Sequence, residues 1–131
     1  MIHLETFDTL RRSVKGQVLK NKEILNFYSV DASLYQIIPD VVVIPETEKD
    51  VITTVKFANR KKIPLTVRGA GTGLVGSSLN TGIIVDLKNL CQIKINKKFA
   101  IVQPGVLKGN LDIFLEKKGK FFPPNPSIGS F

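Results

Sequence analysis

The 131-residue chain is 43% hydrophobic and 23% charged, with a formal charge of +8; this is ordinary globular usage, which excludes a disordered or fibrous chain and provides for one hydrophobic core. No apolar run approaches the ~20 residues of a membrane helix, the first ten residues carry Glu5 and Asp8 where a secretory signal would be apolar, and a lone Cys91 makes no internal disulfide, so a cytoplasmic location is expected. Residues 1–50 hold six Lys/Arg against eight Asp/Glu, and residues 51–131 thirteen against three, a field that favours anionic partners without choosing among nucleic acid, a phosphorylated cofactor and an acidic protein.

In chain order, Leu4, Phe7, Leu10, Val14 and Val18 recur at spacings of three and four and predict an amphipathic helix. Ile24 to Tyr28 is a second short apolar segment whose type the pattern leaves open. Val41-Val42-Val43-Ile44 predicts a buried strand stopped by Pro45. Thr47 with Asp50 three residues on reads as a helix-start box, and Val51, Val55 and Ala58 give that helix an inner face as far as about Lys62. Leu65 to Arg68 and Ile83 to Asp86 are further strands. Cys91–Ile95 and Phe99–Val102 predict a hairpin turned at Asn96-Lys97-Lys98. Leu107, Leu111, Phe114 and Leu115 mark a last helix, with Gly119 as its stop. The expectation is an α+β fold containing one βαβ unit.

Between the second and third strands lie five glycines in fourteen residues, Gly69 to Gly82. Glycines let successive backbone N–H groups turn toward one point, making a nest that suits phosphate oxygens; Arg68 and the Thr72, Ser77 and Ser78 hydroxyls can add charge and donors. Gly71-x-Gly73-x-x-Gly76 matches the dinucleotide fingerprint, but that motif needs a helix opening within it. Only six residues separate Gly76 from Ile83, too few for a crossover helix. No Gly-Lys-Ser/Thr follows, which excludes a Walker loop. A phosphate-binding loop joining two strands remains, beside the plainer reading of a Gly/Ser connection with no ligand.

Pro39-Asp40-Val41-Val42-Val43-Ile44-Pro45, Asp50-Val51, Pro64-Leu65-Thr66-Val67-Arg68-Gly69-Ala70-Gly71-Thr72-Gly73 and Val102-Gln103-Pro104-Gly105 are similar to the flavin-binding domain shared by vanillyl-alcohol oxidase, D-lactate dehydrogenase and the glycolate oxidase D subunit. The resemblance runs from about Asp31 to the end. It implies the α/β first subdomain of a two-subdomain FAD-binding fold, a small mixed sheet with flanking helices and apparently truncated, with residues 1–30 as an N-terminal helical segment and 31–131 as the partial FAD-binding domain. It also implies FAD contacts from Pro45, Arg68, Gly69, Ala70, Gly71, Thr72, Gly73, Gly76 and Ser77. A second flavin loop is implied at Pro124, Asn125, Pro126 and Ser127, where Asn125 replaces the family's usual acid. Thr72 stands where covalently tethered members carry His, so non-covalent FAD is expected. By resemblance, the whole protein is an oxidoreductase acting on a 2-hydroxy acid. The same resemblance implies that the catalytic groups lie in a part following Phe131, so the expectation is no catalytic residue within residues 1–131.

Other candidates have simpler explanations. His3 has no partner for metal or acid–base work, and no metal site is expected. Cys91 reads as a small buried hydrophobe. Glu46, Glu48 and Asp50 suit a helix's first turn. Phe121-Phe122 reads as core closing a strand. Without Trp or an RNP-like motif a nucleic-acid module is poorly supported. Two alternatives to the flavoprotein reading stay open: a non-catalytic remnant or adaptor, and a basic anion or nucleic-acid binder. The expected partners are FAD, a second polypeptide completing the flavin and substrate domains, and a second copy of the chain.

Overall fold

A computed structural model describes residues 2–125 of the chain, which divides into two compact units, Met1–Asn89 and Leu90–Phe131. The first unit runs α1 (Leu4–Ser13), β1 (Gln17–Leu19), α2 (Lys22–Tyr28), β2 (Val41–Ile44), α3 (Glu48–Lys61), β3 (Leu65–Arg68) and β4 (Ile83–Asp86). The architecture is α+β, as the sequence predicts. The N-terminal helix, however, stops at Ser13, and Val18 lies in β1. Gly16 accounts for the break, because the chain passes so close to the end of β2 there that a β-carbon would come within 2.8 Å of Pro45 Cα. The second apolar segment resolves as a helix, α2.

The four strands form one mixed sheet in the order β1-β2-β4-β3, with β1 antiparallel and the others parallel. The βαβ unit β2-α3-β3 therefore skips a position, and β4 fills it. Both central strands are buried along their whole length, which is why β2 and the first three residues of β4 read as β-branched runs. Their side chains alternate between two cores. Val41, Val43, Ile83 and Val85 pack with Phe7 and Leu10 of α1 and Phe57 and Ala58 of α3. Val42, Ile44 and Ile84 pack on the other face with Tyr28 of α2.

α3 opens on the expected capping box: Thr47 Oγ1 accepts the Asp50 N–H, and the Asp50 carboxylate accepts the Thr47 N–H, an arrangement that stabilises a helix by about 1 kcal/mol. The helix is rotated from the expected phase. Thr54, Phe57 and Ala58 face inward, while Val55 is exposed, since Phe57 has more apolar surface to bury than Val55 and sets the phase.

In the second unit, β5 (Ile93–Ile95) and β6 (Ala100–Val102) form the predicted antiparallel hairpin. Asn96 Oδ1 accepts the N–H groups of Lys98 and Phe99 and so builds its turn. α4 (Lys108–Glu116) follows, and Gly119 after it takes a φ of +64°, the left-handed conformation that ends a helix. A groove of about 740 Å³ between hairpin and helix is lined by Ile95, Phe99, Val102, Leu111 and Phe121. Phe121 and Phe122 are exposed and in no strand, contrary to the core role read from sequence. Cys91 is also exposed, its thiol directed at the Gly105 carbonyl 3.2 Å away.

Candidate functional site

The three parallel strands of the first unit end side by side. Val43 is level with Val85, and Arg68 with Asp86. Pro45, the glycine loop and Leu87 therefore leave the sheet along one edge, the carboxyl edge at which open parallel sheets receive ligands. Pro45 is fully enclosed; it forms the floor of this edge and is not exposed to a ligand.

Asp50, at the start of α3, is committed to structure. Its carboxylate accepts the N–H groups of Lys15 (2.9 Å), Gly16 (3.3 Å), Glu46 (3.0 Å) and Thr47 (3.1 Å). Burial pushes its pKa up, but the backbone donors outweigh burial and hold the carboxyl below its usual range.

The glycine loop contains no helix, only a turn in which the Leu79 N–H donates to the Gly76 carbonyl. The geometric objection to a Rossmann fingerprint therefore stands. Gly71 and Gly76 have φ of +72° and +73°, which only glycine adopts without strain. Among the described residues, none of the backbone N–H groups from Gly69 through Ser78 donates to a protein acceptor. Thr72 and Ser77 are exposed beside them. A β-carbon on Gly69 would meet nothing within 4 Å, leaving open space over that peptide. Exposed amides of this kind pair with water, and a run of them without protein acceptors has the chemistry to pair with the oxygens of an anion instead.

The loop is held from two sides. A strap from Val30 to Gln36, closed by a bridge between those two residues, lies along it. Asp31 accepts the Ser33 N–H at 2.8 Å through one oxygen and the Ser78 hydroxyl at 2.9 Å through the other. The hydrogen bonds from Ser33, joined by Ser78, hold the Asp31 carboxyl below its ordinary value. Ala32 N–H donates to the Gly71 carbonyl at 3.0 Å, and the Tyr35 ring packs so closely on Gly76 that a β-carbon there would lie 2.9 Å from it.

From beneath, the buried Arg68 guanidinium donates through Nη1 to the carbonyls of Val30 (2.8 Å) and Tyr28 (3.4 Å). It also lies over the Tyr28 ring, 5.2 Å from the centroid. The Tyr28 hydroxyl in turn donates to Asp86 at 2.5 Å, with Lys88 Nζ 3.3 Å from the same hydroxyl. Burial first, and then the bond to Asp86, push the Tyr28 phenol above its ordinary pKa.

The structure thus gathers Arg68, Gly69, Ala70, Gly71, Thr72, Gly73, Gly76 and Ser77 in one loop over an edge floored by Pro45. Pro124 and Asn125 are exposed in the second unit; Pro126 and Ser127 lie outside the described residues. The sequence reading missed Tyr28, Asp31, Ser33 and Tyr35. Asp31-Ala32-Ser33 carries the Asx-turn pattern, which marks a turn, but nothing in it announces that the turn grips a loop forty-seven residues later.

Comparison with known proteins adds an independent line. A family model described as "FAD binding domain" matches residues 39–131. The D-2-hydroxyglutarate dehydrogenase of Haemophilus influenzae is 33% identical over 97% of this chain, and glycolate oxidase subunit GlcD of Bacillus subtilis 35% identical over 76% of it. The chain spans 13% and 23% of those two proteins. Among solved structures, an alkyldihydroxyacetonephosphate synthase superposes on the whole chain with a TM-score of 0.88 at 18% identity, this chain covering 28% of it; that likeness concerns the fold.

Proposed function

This chain belongs to the FAD binding domain family, and on that premise we propose that its glycine loop holds the FAD pyrophosphate on behalf of a flavoprotein oxidoreductase acting on a 2-hydroxy acid. The observation that carries the reading is the run of free backbone donors from Gly69 through Ser78 at the carboxyl edge of the parallel strands. Such a row suits a dianionic ligand whose oxygens need several donors at once. The amides of Gly69, Ala70, Gly71, Thr72, Gly73 and Gly76 supply it, the exposed Ser77 hydroxyl adds a donor, and the open space over Gly69 admits a phosphate to backbone distance. Pro124-Asn125-Pro126-Ser127 supplies a second flavin loop, with Asn125 bonding as an amide.

FAD, when bound, supplies the hydride-accepting chemistry; this chain supplies binding, orientation and shielding of the phosphates from water. The 2-hydroxy-acid substrate class is supported by the dehydrogenase and glycolate oxidase relatives. Binding is non-covalent, with Thr72 in the loop as a poor flavin tether. A second polypeptide or a second copy covers the apolar side chains exposed in the second unit, and the protein works in the cytoplasm.

Flavin titration of the purified chain tests the core of this reading. FAD fluorescence changes on binding, ADP competes, and riboflavin, which has no phosphate, binds at least tenfold more weakly. Equal binding of riboflavin and FAD, or no FAD binding at all, overturns it. Flavin that stays with the polypeptide after acid precipitation overturns the non-covalent part alone.

A further inference from the structure

We infer that Arg68 is a positioning residue of the proposed phosphate site: its guanidinium sets the curvature of the glycine loop and does not itself touch phosphate. This inference rests on the pyrophosphate reading above and specifies how that site is built.

An arginine at the head of a phosphate loop would ordinarily be taken as a direct ligand for the anion. Its surroundings here point elsewhere. Arg68 is only 7% exposed. Nη1 is engaged by two backbone carbonyls, those of Val30 and Tyr28, and Cζ lies over the Tyr28 ring. The remaining side of the fork abuts Gly71: a β-carbon on that residue would lie 2.8 Å from Cζ, inside contact distance. The guanidinium thus fills the space directly under the loop and is bonded downward, toward the end of α2, while the free amides belong to the loop's exposed backbone.

The strap completes the vice. Ala32 takes the Gly71 carbonyl, the one polar group of that peptide that would oppose an anion, and turns it away into a hydrogen bond. Asp31 holds Ser78, and Tyr35 backs Gly76. Val30, whose carbonyl accepts from Arg68, is the strap's own first residue. Arg68 therefore fixes strap and loop together with one side chain, so the donors are aimed before any ligand arrives. Preorganisation of this kind strengthens binding by removing the ordering cost.

The full chain with Arg68→Ala and Arg68→Lys decides the matter through two readouts. The first is hydrogen exchange without flavin at the two amides bonded to the loop, Ala32 N–H on the Gly71 carbonyl and Leu79 N–H on the Gly76 carbonyl, with the β2 and β4 amides as a check that the sheet stays folded. The second is FAD affinity as a function of salt. A positioning role predicts at least tenfold faster loop exchange, read at the Ala32 and Leu79 amides, in both variants. It also predicts FAD binding weakened ten- to hundredfold in both, with an unchanged salt dependence, because a lysine ammonium keeps the charge but cannot span two carbonyls and fit under Gly71. Near-wild-type affinity in Arg68→Lys, or a shallower salt dependence in Arg68→Ala with loop exchange unchanged, overturns the inference and makes Arg68 a direct phosphate ligand. If Arg68→Ala does not fold, Arg68→Lys decides alone. A wild-type chain that binds no FAD, with both variants still showing fast loop exchange, overturns the pyrophosphate reading and leaves the positioning role of Arg68 in place.

Discussion

The carboxylate of Asp50 accepts the amide of Lys15 at 2.9 Å, across thirty-five positions of sequence. The same group takes Gly16, Glu46 and Thr47, so one side chain ties the approach to β1, the exit from β2 and the start of α3. Asp50→Asn removes the charge and half of the acceptor capacity, and a loss of about 2–3 kcal/mol is expected in urea unfolding. Because the folded pKa is lowered, the stabilisation is complete above the unfolded value of about 3.9 and is lost as pH falls through the folded value. The gap between wild type and Asp50→Asn should therefore close below pH 4; a gap that persists there contradicts the assignment.

Gly71 and Gly69 should separate fold from ligand. Gly71→Ala places a β-carbon in left-handed backbone and against the Arg68 guanidinium, with an expected cost of about 1–3 kcal/mol in thermal unfolding together with weaker FAD binding. Gly69→Ala meets nothing within 4 Å and should leave stability within about 0.5 kcal/mol. It nevertheless occupies the space a phosphate would enter, so FAD affinity falls at least tenfold. Unchanged flavin affinity in Gly69→Ala would count against the cradle.

Tyr28 is one of two tyrosines in the chain. In Tyr35→Phe it is the only phenol left, and its raised pKa predicts no tyrosinate absorbance near pH 10, where a free phenol ionises. A phenol pKa raised by folding favours the native state below the unfolded value and loses that contribution as pH climbs through the folded one. The absorbance should appear together with alkaline unfolding. Tyr28→Phe leaves Asp86 without its 2.5 Å donor, and a loss of about 1–3 kcal/mol is expected.

The exposed apolar side chains of the second unit, among them Phe99, Ile101 and Phe121, predict concentration-dependent association of the isolated chain. Sedimentation at micromolar concentration should show species heavier than a monomer. A single monomeric boundary throughout would refute this.

Cys91 should react with a thiol reagent in the native protein at the rate of an exposed cysteine. Slow reaction that speeds up only in denaturant would restore the buried reading taken from sequence.

Local chemistry was legible where it is self-contained. Thr47 and Asp50 lie three residues apart and cap one helix; Asn96 turns its own hairpin; the glycine run cannot be anything but a loop. What escaped was decided by distant neighbours. Val18 continues a helical spacing, but pairing with Val43 places it in a sheet. Val55 has the right period for an inner face, and the bulk of Phe57 turns the helix past it. Arg68 reads as an anion ligand from its place in the motif, and only the carbonyls of Tyr28 and Val30, about forty positions earlier, reveal what its Nη1 is engaged with.

The sheet order has a consequence for how the molecule is made. β4, enclosed on both faces, lies between β2 and β3 yet is synthesised after both. A nascent chain that has emerged only as far as Arg68 owns the two flanking strands and a gap where their common neighbour belongs. The sheet is complete only with Ile83–Asp86 in that place, and the glycine loop is the tether that connects it to β3. Residues 69–82 thus have a duty besides any ligand: they span the path by which β4 returns to pair with β2 and β3, and long-range pairing is the kind of contact that slows folding most. Shortening that tether by a few residues should be felt first in the refolding rate.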